Sequence, residues 1–260
     1  MRPNAILILL LATIASPAVS MQSLLVKERL AMRKPLKSTP RTEEPDEARR
    51  IEHRVTNCVV KRQRAAAMRY MLAPASADTK REIDRIIRKI GDSHCLRSES
   101  SFFGDIRIIW QAETLRYALA DALVRQELEF APLADLDRVA DLDHPVLNEA
   151  DFQPRPGKRS DSKLLHDLAE SRIGEQRRIY LSVIGECVVR TDPKNARELL
   201  SADPTTPLED LAFGSLTPAL EKCIVAGQTL AFDKSQIRGT VAYSYYRLAK
   251  ARRLSTEGKL

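Results

Sequence analysis

The sequence predicts an all-α protein of two tandem helical units, about four helices each, with one disulfide stapling each unit. Three observations lead there. Aromatic residues make up 5% of the chain and glycine only 9 of 260 residues, while Ala, Leu, Arg and Glu are plentiful; such a composition favours helix over sheet. The stretch NCVVKRQ at 57–63 is echoed by ECVVRTD at 186–192. Each copy is followed by a second cysteine at nearly the same distance, 37 residues from Cys58 to Cys95 and 36 from Cys187 to Cys223.

The chain opens Met-Arg-Pro-Asn, continues with the apolar run Ala5 to Ile14, and passes into ASPAVS. A basic start, a short apolar core and the small residues Ala18 and Ser20 make residues 1–20 a secretory signal peptide, cut before Met21 or after Ala18. The run is shorter than the roughly 20 residues that span a bilayer. No later stretch is apolar enough, so no membrane span is expected after cleavage. Residues 21–46, with RKPLKSTPRTEEPDE, read as a flexible arm.

Helical unit 1 occupies 47–130 and unit 2 occupies 173–254, with a tail at 255–260. In the first helix of each, Ile51, Val55, Cys58 and Val59 share one face, as do Leu181, Ile184, Cys187 and Val188. A short second helix follows; in unit 2, Asp192 and Pro193 supply its cap and first-turn proline. A third segment starts at a capping box, Thr79 with Glu82 in unit 1 and Thr206 with Glu209 in unit 2. Gly91 and Gly214 suit a break before the second cysteine, and Thr217-Pro218 suits a restart. The last helix carries the stripe Ile108, Ala112, Leu115, Leu119 and Ala122 in unit 1. Its counterpart carries Ile237, Val241, Tyr245 and Leu248, capped by Asp233 and Gln236 with Phe232 as a staple. LRYALADALVR (115–125) lies over IRGTVAYSYYR (237–247), placing Arg116 on Arg238, Ala120 on Ala242 and Arg125 on Arg247. The matches occur in the same order at near-equal spacing, which points to an internal duplication. The segment 131–172 is a linker in which SKLLHDLAES adds a short helix.

A unit of about 70 residues buries a limited core, and exported proteins compensate with disulfides. Four cysteines allow three pairings; the duplication favours Cys58–Cys95 with Cys187–Cys223. The rival is a soft metal site from His53, Cys58, His94 and Cys95. Unit 2 has no histidines at the matching positions, so no metal or other cofactor is expected.

The net charge of +7 is spread among interspersed acids. It suits an anionic surface or, more simply, solvated helix faces. There is no Gly-rich phosphate loop, His-Glu-x-x-His or Gly-x-Ser-x-Gly. His144 and His166 read as ordinary histidines of a polar segment. Glu113 and Asp121 are the carboxylates a wall glycosidase would use, with nothing to set them apart from surface charge. No catalytic residue is assigned. The recurring Arg116, Arg125, Arg238 and Arg247 are anion-binding or structural ion-pair positions, the latter being the commoner role. YSYYRLAKARR mixes aromatic and basic residues, but export argues against nucleic acid.

Cys-Val-Val-basic, a second cysteine some 36 residues on, then Leu/Ile-Arg-x-x-x-Ala, resembles a group of uncharacterised exported proteins from sphingomonad-type bacteria. There the last helix often ends Arg-Gly-x-x-Ala-Glu-Ala-Leu-Tyr-Arg. Here Arg238, Gly239, Ala242, Tyr246 and Arg247 keep that pattern, as do Arg116, Ala120, Asp121, Ala122, Leu123 and Arg125; Tyr117 replaces the glycine and Val124 the tyrosine. The resemblance covers both units and implies export and repetition, not an activity. The expectation is a periplasmic or secreted, non-catalytic binding or scaffold protein. Its partner would be an envelope protein or an anionic envelope polymer. The alternative is an envelope-acting enzyme with a site between the units.

Overall fold

The computed structural model describes residues 45–72, 85, 94–95, 112–127, 136–154, 161–225 and 233–256. All belong to the compact unit Arg41–Leu260. Among them the regular structure is entirely helical.

Helix α1, Pro45–Leu72, begins with a proline and with Asp46 and Glu47 in its first turn. Proline lacks the amide that would be left unbonded there, and the acids face the positive helix end. The helix buries Val55, Val59 and Val60; past a kink at Gln63 (φ −131°, ψ 35°) it buries Ala67, Tyr70 and Met71. Helix α2, Ala112–Glu127, buries Leu115, Leu119, Ala120 and Leu123. Two 3-10 turns, Leu136–Arg138 and Glu149–Phe152, punctuate the next segment. Helix α3, Ser162–Thr191, is capped by Asp161, whose carboxylate accepts from the Leu164 amide. Asp192 caps α4, Pro193–Ser201, by accepting from the Asn195 amide. Helices α5, Pro207–Cys223, and α6, Lys234–Thr256, complete the chain. The α6 cap is reciprocal as expected: Gln236 N donates to Asp233 Oδ1 at 2.7 Å, and Asp233 N donates to Gln236 Oε1 at 3.4 Å.

The central contact is α2 against α6, flanked by α1 on α2 and α3 on α6; α4 and α5 pair and close one side. The buried side chains form one continuous cluster, and each fully buried Leu or Val contributes about 2 kcal/mol. At the α2–α6 crossing a Cβ on Gly239 would lie 2.5 Å from the Tyr117 Cβ, so only glycine permits this approach. The disulfides are Cys58–Cys95 and Cys187–Cys223, the pairing the spacing favoured. Cys58 and Cys95 are therefore not free to bind a metal as thiolates. Closing loops of 37 and 36 residues contributes about 4 kcal/mol each on the chain-entropy account.

Laying Cys58 on Cys187 without gaps aligns buried positions throughout: Val55 with Ile184, Val59 with Val188, Val60 with Val189, Ala67 with Ala196, Tyr70 with Leu199 and Met71 with Leu200. The kink at Gln63 then falls on Asp192, the residue between α3 and α4. Laying Arg116 on Arg238 aligns Leu115 with Ile237, Leu119 with Val241, Ala120 with Ala242 and Leu123 with Tyr245, all buried.

Three expectations need correction. Helix α3 runs unbroken through the boundary expected between a linker ending at 172 and a unit starting at 173. The one breaker nearby, Gly174, is exposed with open space around it, so nothing interrupts the helix. Helix α5 likewise runs through Gly214 and Pro218. The carbonyl that Pro218 cannot bond belongs to Gly214, which is exposed, has no side chain to meet the ring and opens to solvent. The Thr206 hydroxyl does accept from the Glu209 amide at 3.4 Å, but the Glu209 carboxylate accepts from the Thr205 amide at 2.9 Å rather than from Thr206. Thr205 stands at φ 65°. The signal segment, most of the arm, Thr79–Glu82, Gly91, Ile108 and Phe232 lie outside the described residues.

Candidate functional site

A cavity of about 210 Å³ opens between α1, α2, α3 and the first turns of α6. Ionisable side chains line it from several helices. Helix α1 contributes Glu52 and His53, α2 contributes Glu113 and Asp121, α3 contributes Arg177, and α6 contributes Arg238. Four pairs of positions that correspond in the two registers line it together: Glu52 with Leu181, Glu113 with Ser235, Thr114 with Gln236, and Tyr117 with Gly239. The carboxyl-bearing member of each acidic pair comes from the first half of the chain.

One wall is a buried ion network. The Arg238 guanidinium grips Asp121 through Nη2–Oδ1 (3.0 Å) and Nε–Oδ2 (3.1 Å) and reaches Glu209 Oε1 at 3.1 Å. It also donates to the carbonyls of Leu199 (2.9 Å) and Leu200 (3.2 Å), satisfying the end of α4. Arg49 joins α1 to the same Glu209 oxygen at 2.6 Å. His53 Nδ1 stands 3.4 Å from Asp121 Oδ2, with Asn57 Nδ2 3.0 Å from its other nitrogen. Burial alone would raise the pKa of Asp121, but Arg238, His53 and Arg125 hold it well below the usual carboxylate range. A forked guanidinium on a carboxylate is the strong form of such a bond.

Two further carboxyls on the same helices behave differently. Burial, with the nearby Asp121 charge, pushes the Glu52 carboxyl up from 4.5 to about 7; Arg49 opposes this only in part. Burial also raises Glu113, although the Tyr117 hydroxyl donates to its Oε1 at 2.8 Å. Among the described residues, the side chains of Glu52 and Arg177 make no hydrogen bond or ion pair. A cavity thus holds one anchored ion network and two unmatched ionisable groups.

The four arginines singled out in the sequence are all engaged within the chain. Arg238 anchors the network above. Arg125 bonds Asp203 Oδ1 at 3.0 Å and also donates to the Ala202 carbonyl. Arg116 lies over the Tyr70 ring (4.8 Å) and reaches the Tyr243 hydroxyl at 3.4 Å. Arg247 bonds the Asp143 carbonyl at 2.9 Å and lies 5.3 Å from the Tyr243 ring centroid. Only Arg238 lines the cavity.

Sequence reasoning missed Glu52, though it sits one turn before Val55 and Thr56 on the buried stripe, and a carboxyl there is a signal. His144 was also underestimated. Its Nδ1 is 2.8 Å from Ser182 Oγ and its Nε2 is 2.8 Å from Glu186 Oε2. The order hydroxyl, imidazole, carboxylate suggests a nucleophile relay. However, Ser182 is 3% exposed, Arg190 holds Glu186 at 2.6 Å, and Glu186 also accepts from the Leu142 amide at 3.1 Å. The cluster pins the 136–154 segment onto α3. Arg190 completes the pinning through the carbonyls of Leu136, Val139 and Ala140.

No family model, curated protein or solved structure matches this chain. Among the described residues no helix is long and apolar enough to cross a membrane. Two disulfides fit an oxidising, extracytoplasmic environment.

Proposed function

We propose that this is a periplasmic or secreted, non-catalytic binding protein whose inter-helical cavity takes a small polar ligand. The observation that carries it is the pair Glu52 and Arg177, facing one cavity without partners. Both side chains are part-buried on the cavity wall, where each is left with its hydrogen-bonding capacity open to a ligand. A site that convergent polar groups line is the usual form of a ligand pocket. Export draws support from the signal-like start and the two disulfides.

The two registers support an internal duplication, with α1 and α2 equivalent to α3 with α4 and to α6. Four corresponding pairs line the cavity together, so it lies where an axis relating the halves would pass. This favours a cavity ligand over the anionic envelope polymer that the net charge suggested, because the recurring arginines already bond within the chain.

The test is a thermal-shift panel of small polar compounds on the wild type and on Thr114→Trp. Thr114 is exposed and lines the cavity, so the indole fills the mouth without entering the core. The proposal expects some compounds to raise the wild-type Tm and to lose that effect on the variant. No shift with any compound, or equal shifts in both proteins, would overturn it.

A second reading, an envelope-acting hydrolase, draws on the Glu52 carboxyl standing near neutrality, the range general acid–base catalysis uses. Release of sugars from a wall glycan, lost in Glu52→Gln, would favour it.

A further inference from the structure

We infer that the ligand of this cavity is a small zwitterion, carrying one ammonium and one carboxylate on a compact frame such as a free amino acid. The inference rests on the cavity being a ligand site, as proposed above.

Most ionisable groups on the walls are already matched. Arg49 is spent on Glu209, Arg238 on Asp121 and Glu209, and Asp233 on the cap of α6. Glu113 accepts from Tyr117. What remains is one carboxyl, Glu52, and one guanidinium, Arg177. They come from opposite flanks, since α1 packs on α2 and α3 packs on α6. Although opposite in charge, they stand too far apart to bond one another. A simple cation would satisfy Glu52 and leave Arg177 unmatched. A simple anion would do the reverse and would meet Glu52 and Glu113 as well. A molecule with both charges satisfies both groups, the carboxylate on the guanidinium fork and the ammonium on Glu52. Glu113 stands on the same cavity to share the ammonium.

Size points the same way. About 210 Å³ is below the roughly 300–1,000 Å³ of sites for drug-sized molecules, so the ligand has few heavy atoms. Glu52 also predicts a proton count. Raised to about 7 in the free protein, it is partly protonated at neutral pH, and an ammonium beside it drives the proton off. Binding therefore releases protons near pH 7.

The experiment is isothermal titration of the full chain with free L- and D-alanine, glutamate, lysine and phenylalanine. The best binder is then compared with its α-amide, which lacks the α-carboxylate, and its Nα-acetyl form, which lacks the α-ammonium. The expected result is at least a tenfold loss of affinity for each derivative. Titration in buffers of different ionisation enthalpy should show proton release at pH 7. Arg177→Gln should weaken the parent tenfold or more and leave the amide unchanged; Glu52→Gln should weaken both. An amide that binds as tightly as its parent overturns the zwitterion in favour of a cation site. An N-acetyl form that does so overturns it in favour of an anion site. If no amino acid binds while other compounds in the thermal-shift panel do, the zwitterion falls and the cavity reading stands. If nothing in either set binds, both fall.

Discussion

Replacing Glu52 with glutamine should make the protein more stable above neutrality and no more stable in acid. In the folded chain burial and Asp121 hold this carboxyl at about 7, against an ordinary value of 4.5. The unfolded chain therefore releases the proton first as pH rises. Folding stability is undiminished below about pH 4.5, falls between there and about pH 7, and is fully reduced above. The gap between the two values corresponds to about 3 kcal/mol, an upper figure for a group that is partly covered rather than fully buried. Glutamine cannot ionise, so Glu52→Gln removes this dependence. Glu113 and Asp121 titrate in both proteins, and the difference between the two isolates Glu52. Urea denaturation of each protein at pH 4, 5, 6, 7 and 8 measures it. The expected curves meet at pH 4 and diverge to as much as about 3 kcal/mol at pH 8, the variant being the more stable. Parallel curves, or a variant less stable at pH 8, would refute the claim that the cavity wall disfavours an ionised Glu52.

Arg238→Ala takes the fork from buried Asp121 and one of two arginines from Glu209, and should cost about 3–5 kcal/mol in the same denaturation assay; Arg238→Lys should recover little, because an ammonium cannot reproduce the fork. Gly239→Ala places a methyl 2.5 Å from the Tyr117 Cβ and should cost about 1–3 kcal/mol in the same assay. Removing one staple by Cys187→Ser with Cys223→Ser should lower stability by about 4 kcal/mol, and addition of dithiothreitol should then lower the melting temperature of this variant less than that of the wild type.

The fold was legible where local chemistry is strong. Cys58 and Cys187 announced the staples, and Asp192-Pro193 and Asp233 with Gln236 announced helix starts, because caps and spacings act within a few residues. Breaks were harder to read. Gly214, Pro218 and Gly174 look like terminators, yet on exposed faces the freed groups open to solvent, and packing of Ala212, Leu216 and Ala219 carries α5 through. The second half of the Thr206–Glu209 box failed for a tertiary reason: two arginines from distant helices hold the Glu209 carboxylate. The cavity was not legible at all. Its walls come from four helices far apart in the chain, and whether Glu52 or Arg177 has a partner is a fact of packing. The recurring arginines drew attention because their spacing repeats, but repetition marks architecture, and three of the four lie off the cavity.

The central claim is that the cavity holds a small molecule, and native mass spectrometry of the chain purified from its own cells tests it most directly. The account predicts a discrete small-molecule adduct on the wild type, absent from Thr114→Trp purified in parallel. A wild type without an adduct, or the same adduct on both proteins, would contradict it.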